Sequence, residues 1–85
     1  MYRIVHDEET YPQLAALPTD SLDSYTELIA TLEVAPWNGK PQHPNNPDGA
    51  VRCWVFTWPH GSGQVIYLID DGRREVHILR LQWFG

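Results

Sequence analysis

Four histidines (His6, His43, His60 and His77) and a single cysteine, Cys53, are the residues whose chemistry is easiest to test by spacing. No pair of them has metal-ligand spacing, and one thiolate cannot build a zinc cluster, so neither a metal centre nor a cofactor is expected. His60 lies in PHGSG, between two strand-like runs. An imidazole at such a hairpin tip, near its ordinary pKa of ~6.5, could act as a general acid or base. The plainer account is a solvated turn histidine, and it serves equally for His43 in the proline-rich segment. His77 alternates with Leu79, Leu81 and Trp83, which places it on a core face. Gly61-Ser62-Gly63 is not a Walker loop and no helix follows it, so it reads as a hairpin turn. Ser62 has no evident His–Asp partners, and nucleophilic catalysis finds no support. The acidic groups Asp70-Asp71 and Asp7-Glu8-Glu9 are accounted for by turn chemistry and by a helix start.

The run VRCWVFTW, Val51 to Trp58, is more informative. Period two puts Arg52, Trp54, Phe56 and Trp58 on one face and Val51, Cys53, Val55 and Thr57 on the other. Only one face can meet helices, and a half-solvated antiparallel sheet should alternate apolar with polar. Here both faces are largely apolar. Arginine and tryptophan together are the composition of protein-interface hot spots. Base stacking would use the same residues, but the low positive charge favours a protein partner or self-association. A third account is that the loop carrying Trp37 covers this face within the chain.

Eighty-five residues form one domain, 1–85, with room for one modest core. The net charge is −5 with only six Lys plus Arg, the wrong sign for affinity built on phosphate neutralisation. No apolar run approaches the ~20 residues of a membrane span. MYRIVHDEET lacks a hydrophobic h-region, and the lone cysteine suits a reducing compartment, so the expectation is cytoplasmic, with no membrane and no small-molecule cofactor.

These residues need positioning elements. YRIV suits a first strand. Thr10-Tyr11-Pro12-Gln13 resembles a capping box with proline just inside a helix that ends near Leu17, before Pro18; the other start is a cap at Asp7, with Pro12 inside the first turns. Leu22, Tyr25, Leu28, Ile29 and Leu32 recur at helical spacing over Asp20 to Val34. Residues Pro36 to Gly49 hold four of the seven prolines and two of the six glycines, and read as a loop pinned by Trp37. Then come three strands: VRCWVFTW, QVIYLI (Gln64 to Ile69) and REVHILRLQWF (Arg74 to Phe84), with Asp71-Gly72 marking the second hairpin. The order β-α-α-β-β-β predicts an α+β two-layer sandwich: a helical hairpin on an antiparallel meander, with the first strand beside the last.

That order, the size, the VIY of Val65-Ile66-Tyr67 and the ILRL of Ile78 to Leu81 resemble the RelE/ParE superfamily of bacterial type II toxins over nearly the whole chain. The resemblance implies a toxin held by a cognate antitoxin, with either the ribosome and its mRNA or DNA gyrase as target. In the RelE-like branch it also implies a basic meander face. Arg52 and Arg80 keep two of the expected basic positions; Trp54, Gln64 and Gln82-Trp83-Phe84 replace others. If the family's register holds, Arg52, Trp54, Gln64, Ile66, Arg80 and Gln82 line the open face. Any surviving nuclease, a degenerate or atypical ribosome-dependent mRNA endonuclease, would rely on Arg52, His60, Gln64 and Arg80. The alternative is a non-catalytic binding module that uses Trp54, Phe56, Trp58, Ile66 and Gln82 for partner or self-association.

Overall fold

The computed structural model describes residues 1–41 and 49–84. His43 and half of the proline-rich stretch, residues 42–48, lie outside the described residues. The elements are β1 (Arg3–His6), α1 (Tyr11–Ala15), α2 (Leu22–Val34), β2 (Lys40–Pro41), β3 (Val51–Trp58), β4 (Gly61–Asp70) and β5 (Glu75–Phe84). They make an α+β fold with two helices packed on a mixed sheet of order β1-β5-β4-β3-β2.

The first helix begins differently from a capping box. A 3-10 turn over Glu8–Thr10 has already put Thr10 into helical dihedrals (φ −83°, ψ −17°), so its side chain cannot cap from outside. The Thr10 hydroxyl instead donates back to the Asp7 carbonyl at 2.6 Å. Gln13 is thereby free for a tertiary bond, its Oε1 accepting the Leu81 backbone N–H at 2.6 Å. Extended Pro18 separates the helices, and a second 3-10 turn, Thr19–Ser21, leads into α2. Of the helical-spacing set, Tyr25, Leu28 and Leu32 enter the core and Ile29 packs against it, while Leu22 is exposed.

The expected meander is present, with β3–β4 and β4–β5 antiparallel. β1 pairs with β5 in parallel, Arg3 opposite Glu75 and His6 opposite Ile78. Trp58 pairs with Gly61, so Pro59 and His60 alone form the first turn and Gly61-Ser62-Gly63 belongs to β4. The second turn spans four residues between Asp70 and Glu75, and Arg74 adopts φ 55°, the left-handed region. Strict alternation then breaks once in β5. Tyr67 pairs with Ile78 but Ile66 with Arg80, leaving Leu79 as a bulge.

The core lies between the sheet and α2, with Val65, Val76 and Ile78 fully buried beside Leu32. Tyr67 is equally buried, its hydroxyl donating to the Pro36 carbonyl at 2.7 Å. Burial pushes the Tyr67 hydroxyl up to about 12. Among the described residues, no helix is long and apolar enough to cross a membrane.

Candidate functional site

Residues directly opposite one another in an antiparallel pair share a face. The register therefore defines the sheet face turned away from the helices row by row. Lys40, Cys53, Ile66 and Arg80 form one row across four strands. Val55, Gln64 and Gln82 form the next, and Thr57, Ser62 and Phe84 the last. Arg80 and Lys40 are exposed while Cys53, Ile66, Gln64 and Gln82 are half-buried. Three strand spacings set the two cations ~14 Å apart along their row. This arrangement presents positive charge at two points, with uncharged hydrogen-bonding amides and apolar side chains between them.

Arg52 is absent from that surface, contrary to the expected register. It pairs with Tyr67 on β4 and Pro41 on β2, on the helix side of the sheet, and is only 8% exposed. Its Nε donates to the Gly49 carbonyl at 2.9 Å, and its Nη1 to the carbonyls of Gly39 at 3.0 Å and Trp37 at 3.3 Å. The Trp37 ring lies 5.0 Å from the guanidinium carbon. A buried guanidinium is tolerated when carbonyls satisfy its donors, and the segment following α2 supplies them. The third account of the sequence, a loop carrying Trp37 over this face, holds at Arg52 alone; the aromatic residues of the face lie under α2.

The same parity corrects the aromatic contact surface. Phe56 and Trp58 are buried, and Trp54 is half-buried against the core. Phe56 sits edge-on to Tyr25 of α2 at 5.7 Å between centroids and 5.7 Å from Trp58. The aromatic face is the one α2 covers, because the three rings of Trp54, Phe56 and Trp58 bury far more apolar area than the Val/Cys/Val/Thr face can. Of the expected partner-binding set, Ile66 and Gln82 remain on the open face. At the end of β5, Trp83 and Phe84 are exposed and line a groove with Pro12 of α1 and Ala16 just beyond its end.

The four residues assigned to acid–base and charge work do not converge. Gln64 and Arg80 share the open face; Arg52 is buried behind it. His60 projects from the β3–β4 turn toward the helix layer, its Nε2 3.9 Å from the Asp20 carboxylate, and is exposed.

One cluster was not foreseen. His77 lies on the open face, not in the core, because the Leu79 bulge reverses the parity that ties it to Leu81 and Trp83. Beside it, Glu75 is buried and accepts from Arg3 of β1 through Oε2, while its Oε1 lies 3.1 Å from His77 Nε2. The bond from Arg3, followed by that from His77, holds the Glu75 carboxyl below its usual range. Asp70 stands directly opposite Glu75 across the hairpin, and one ligand-type atom from each of the three lies within 4.8 Å of the others. Glu-x-His in a strand was a readable signal. Asp70 was not, because a two-residue Asp71-Gly72 turn would have placed it opposite Arg73.

No protein-family profile matches the sequence, and no curated protein matches it by sequence. Solved structures do match. The chain is similar to the intact E. coli RelBE toxin–antitoxin complex at TM-score 0.74 and 12% identity, covering 96% of this chain and 95% of that one. It is similar to the isolated E. coli RelE toxin at TM-score 0.74 and 11% identity, covering 100% and 86%. A mutant E. coli RelE bound to an antitoxin RelB peptide matches at TM-score 0.72 and 14% identity, covering 95% and 81%. Strand order, helix placement and near-complete superposition agree: the chain has the RelE toxin fold.

Proposed function

We propose that this protein is the toxin-like member of a type II toxin–antitoxin pair, binding a macromolecular target through the open sheet face and neutralised by an antitoxin polypeptide. The observation that carries the reading is the near full-length likeness to a toxin solved together with its antitoxin. The face itself supports binding over cleavage. Metal-independent RNA cleavage needs a base, a stabiliser of developing charge and an acid. Arg80 supplies charge, and Gln64 and Gln82 supply neutral donors. His60 lies toward Asp20 on the other side. An exposed arginine beside half-buried apolar and amide side chains suits a protein or ribonucleoprotein surface.

Controlled induction in a bacterial host tests this. Growth should arrest, and Arg80→Ala, an exposed position whose loss leaves the core intact, should relieve the arrest at equal protein level. Unimpaired growth under strong induction of folded protein would sink the toxin reading. The second reading, a non-catalytic binding module, would then apply.

A further inference from the structure

We propose that Asp70, Glu75 and His77 form a divalent-cation site of the zinc class at the turn end of the β4–β5 hairpin, on the open face. Glu75 and His77 are two residues apart on β5 and so share a face, and Asp70 is the cross-strand partner of Glu75. The side chains are 10%, 27% and 35% exposed for Glu75, His77 and Asp70. The site is therefore walled by the sheet on one side and open to water on the other.

The geometry divides the oxygens of Glu75 between two jobs. Arg3 engages Oε2, which fixes the carboxylate plane, and leaves Oε1 facing His77 Nε2 at 3.1 Å. Two ligands on a tetrahedral zinc with bonds of ~2.0–2.1 Å stand ~3.3 Å apart, so this pair is already at ligating separation. Asp70 closes the third position. Its carboxylate now accepts the Arg73 backbone N–H at 3.2 Å and lies 3.8 Å from Arg73 Nε. Both contacts lie in the exposed turn, so a rotation of the Asp70 side chain releases the carboxylate toward the metal. Two carboxylates directly opposed across a strand pair repel, and a cation between them removes that cost. Arg3 then acts as a positioning residue, as groups hydrogen-bonded to metal-ligating carboxylates do.

One imidazole nitrogen and two carboxylates, with a fourth position open to water, is a donor set of the kind zinc takes. It is too hard for a thiolate-seeking cuprous ion and too sparse in oxygens for calcium. Bound metal would clip β4 to β5 and, through Glu75 and Arg3, to β1.

Zinc chloride titrated into the whole chain and followed by calorimetry should give one saturable site per chain. Cobalt(II) in its place should give a visible absorption band of tetrahedral intensity. His77→Gln and Asp70→Asn should each weaken zinc by at least ~10-fold, and Arg3→Met by ~10- to 100-fold, the range for groups that orient ligands. His60→Gln should change nothing. Zinc should also raise the thermal midpoint of the wild type and not of Asp70→Asn, a variant whose amide oxygen can still accept the Arg73 backbone N–H and hold the turn. Absence of saturable one-to-one binding overturns the proposal. So does binding that survives both His77→Gln and Asp70→Asn, or that is lost in His60→Gln alone.

Discussion

The Arg52 guanidinium lies 5.0 Å from the centre of the Trp37 ring and donates to the carbonyl of that same residue. One side chain thus fastens the segment after α2 to the buried side of β3. It is a structural cation, and its removal should be felt in folding.

Arg52→Met keeps the length and apolar stem but leaves the Gly49, Gly39 and Trp37 carbonyls without their donor. The expected cost is about 3 kcal/mol, the scale of breaking a buried charged network. Arg52→Lys should recover only part of it, since a point charge cannot reproduce the fork. Urea midpoints of the three proteins check this; a loss below about 1 kcal/mol for Arg52→Met would show that the guanidinium is dispensable.

Gly63 is required by close approach, not by backbone conformation. A Cβ there would meet the Phe56 ring at 2.5 and 2.7 Å and the Gln82 carbonyl at 3.0 Å. Gly63→Ala should destabilise by about 1–3 kcal/mol through overpacking. Gly72 is the comparison: its added Cβ would meet only an Asp70 carboxylate oxygen at 3.7 Å, and its φ is not positive. Gly72→Ala should be neutral or stabilise by up to about 1 kcal/mol. Thermal midpoints that move equally for both variants would contradict the packing account.

His6 should make stability fall in mild acid. Its Nε2 is 2.8 Å from the Tyr25 hydroxyl, and burial lowers its pKa from the ordinary 6.5. Between the lowered value and 6.5 the unfolded chain binds the proton more readily, so stability rises with pH across that window. The contribution is complete above about pH 6.5 and is lost as pH falls below it. Denaturant midpoints taken on either side of that value should drop more on acidification for the wild type than for His6→Gln. Equal drops would assign the effect elsewhere. The lowered carboxyls of Asp71, bonded first by Tyr2 and then by Trp37, and of Glu75 give the same sign at more acidic pH, below their ordinary 3.8 and 4.5.

Element identity was legible because periodicity and turn residues act locally. Tyr25, Leu28 and Leu32 announced α2, and Pro18 its separation from α1. The meander and the pairing of the first strand beside the last were legible too. Which face of β3 is buried was not, because both faces are apolar and period two labels faces without orienting them. Burial of Phe56 and Trp58 under α2 decides it, and Arg52 follows them inward by parity. The two-residue β2 was hidden in the proline-rich segment, where Pro41 reads as loop. On the open face, Arg80, Gln64, Ile66 and Gln82 were placed correctly, while the Glu75–His77 pair was lost to the unseen bulge.

That bulge sets an odd rule for how this gene could change. Upstream of Leu79 the open face carries odd-numbered residues, Glu75 and His77; downstream it carries even-numbered ones, Arg80 and Gln82. Removing the single codon for Leu79 would leave Ile78 and Arg80 consecutive opposite Tyr67 and Ile66, a regular strand with Arg80 and Gln82 still on the open face and Leu81 still in the core. The one-residue surplus at Leu79 is the part of this strand that inheritance is free to lose.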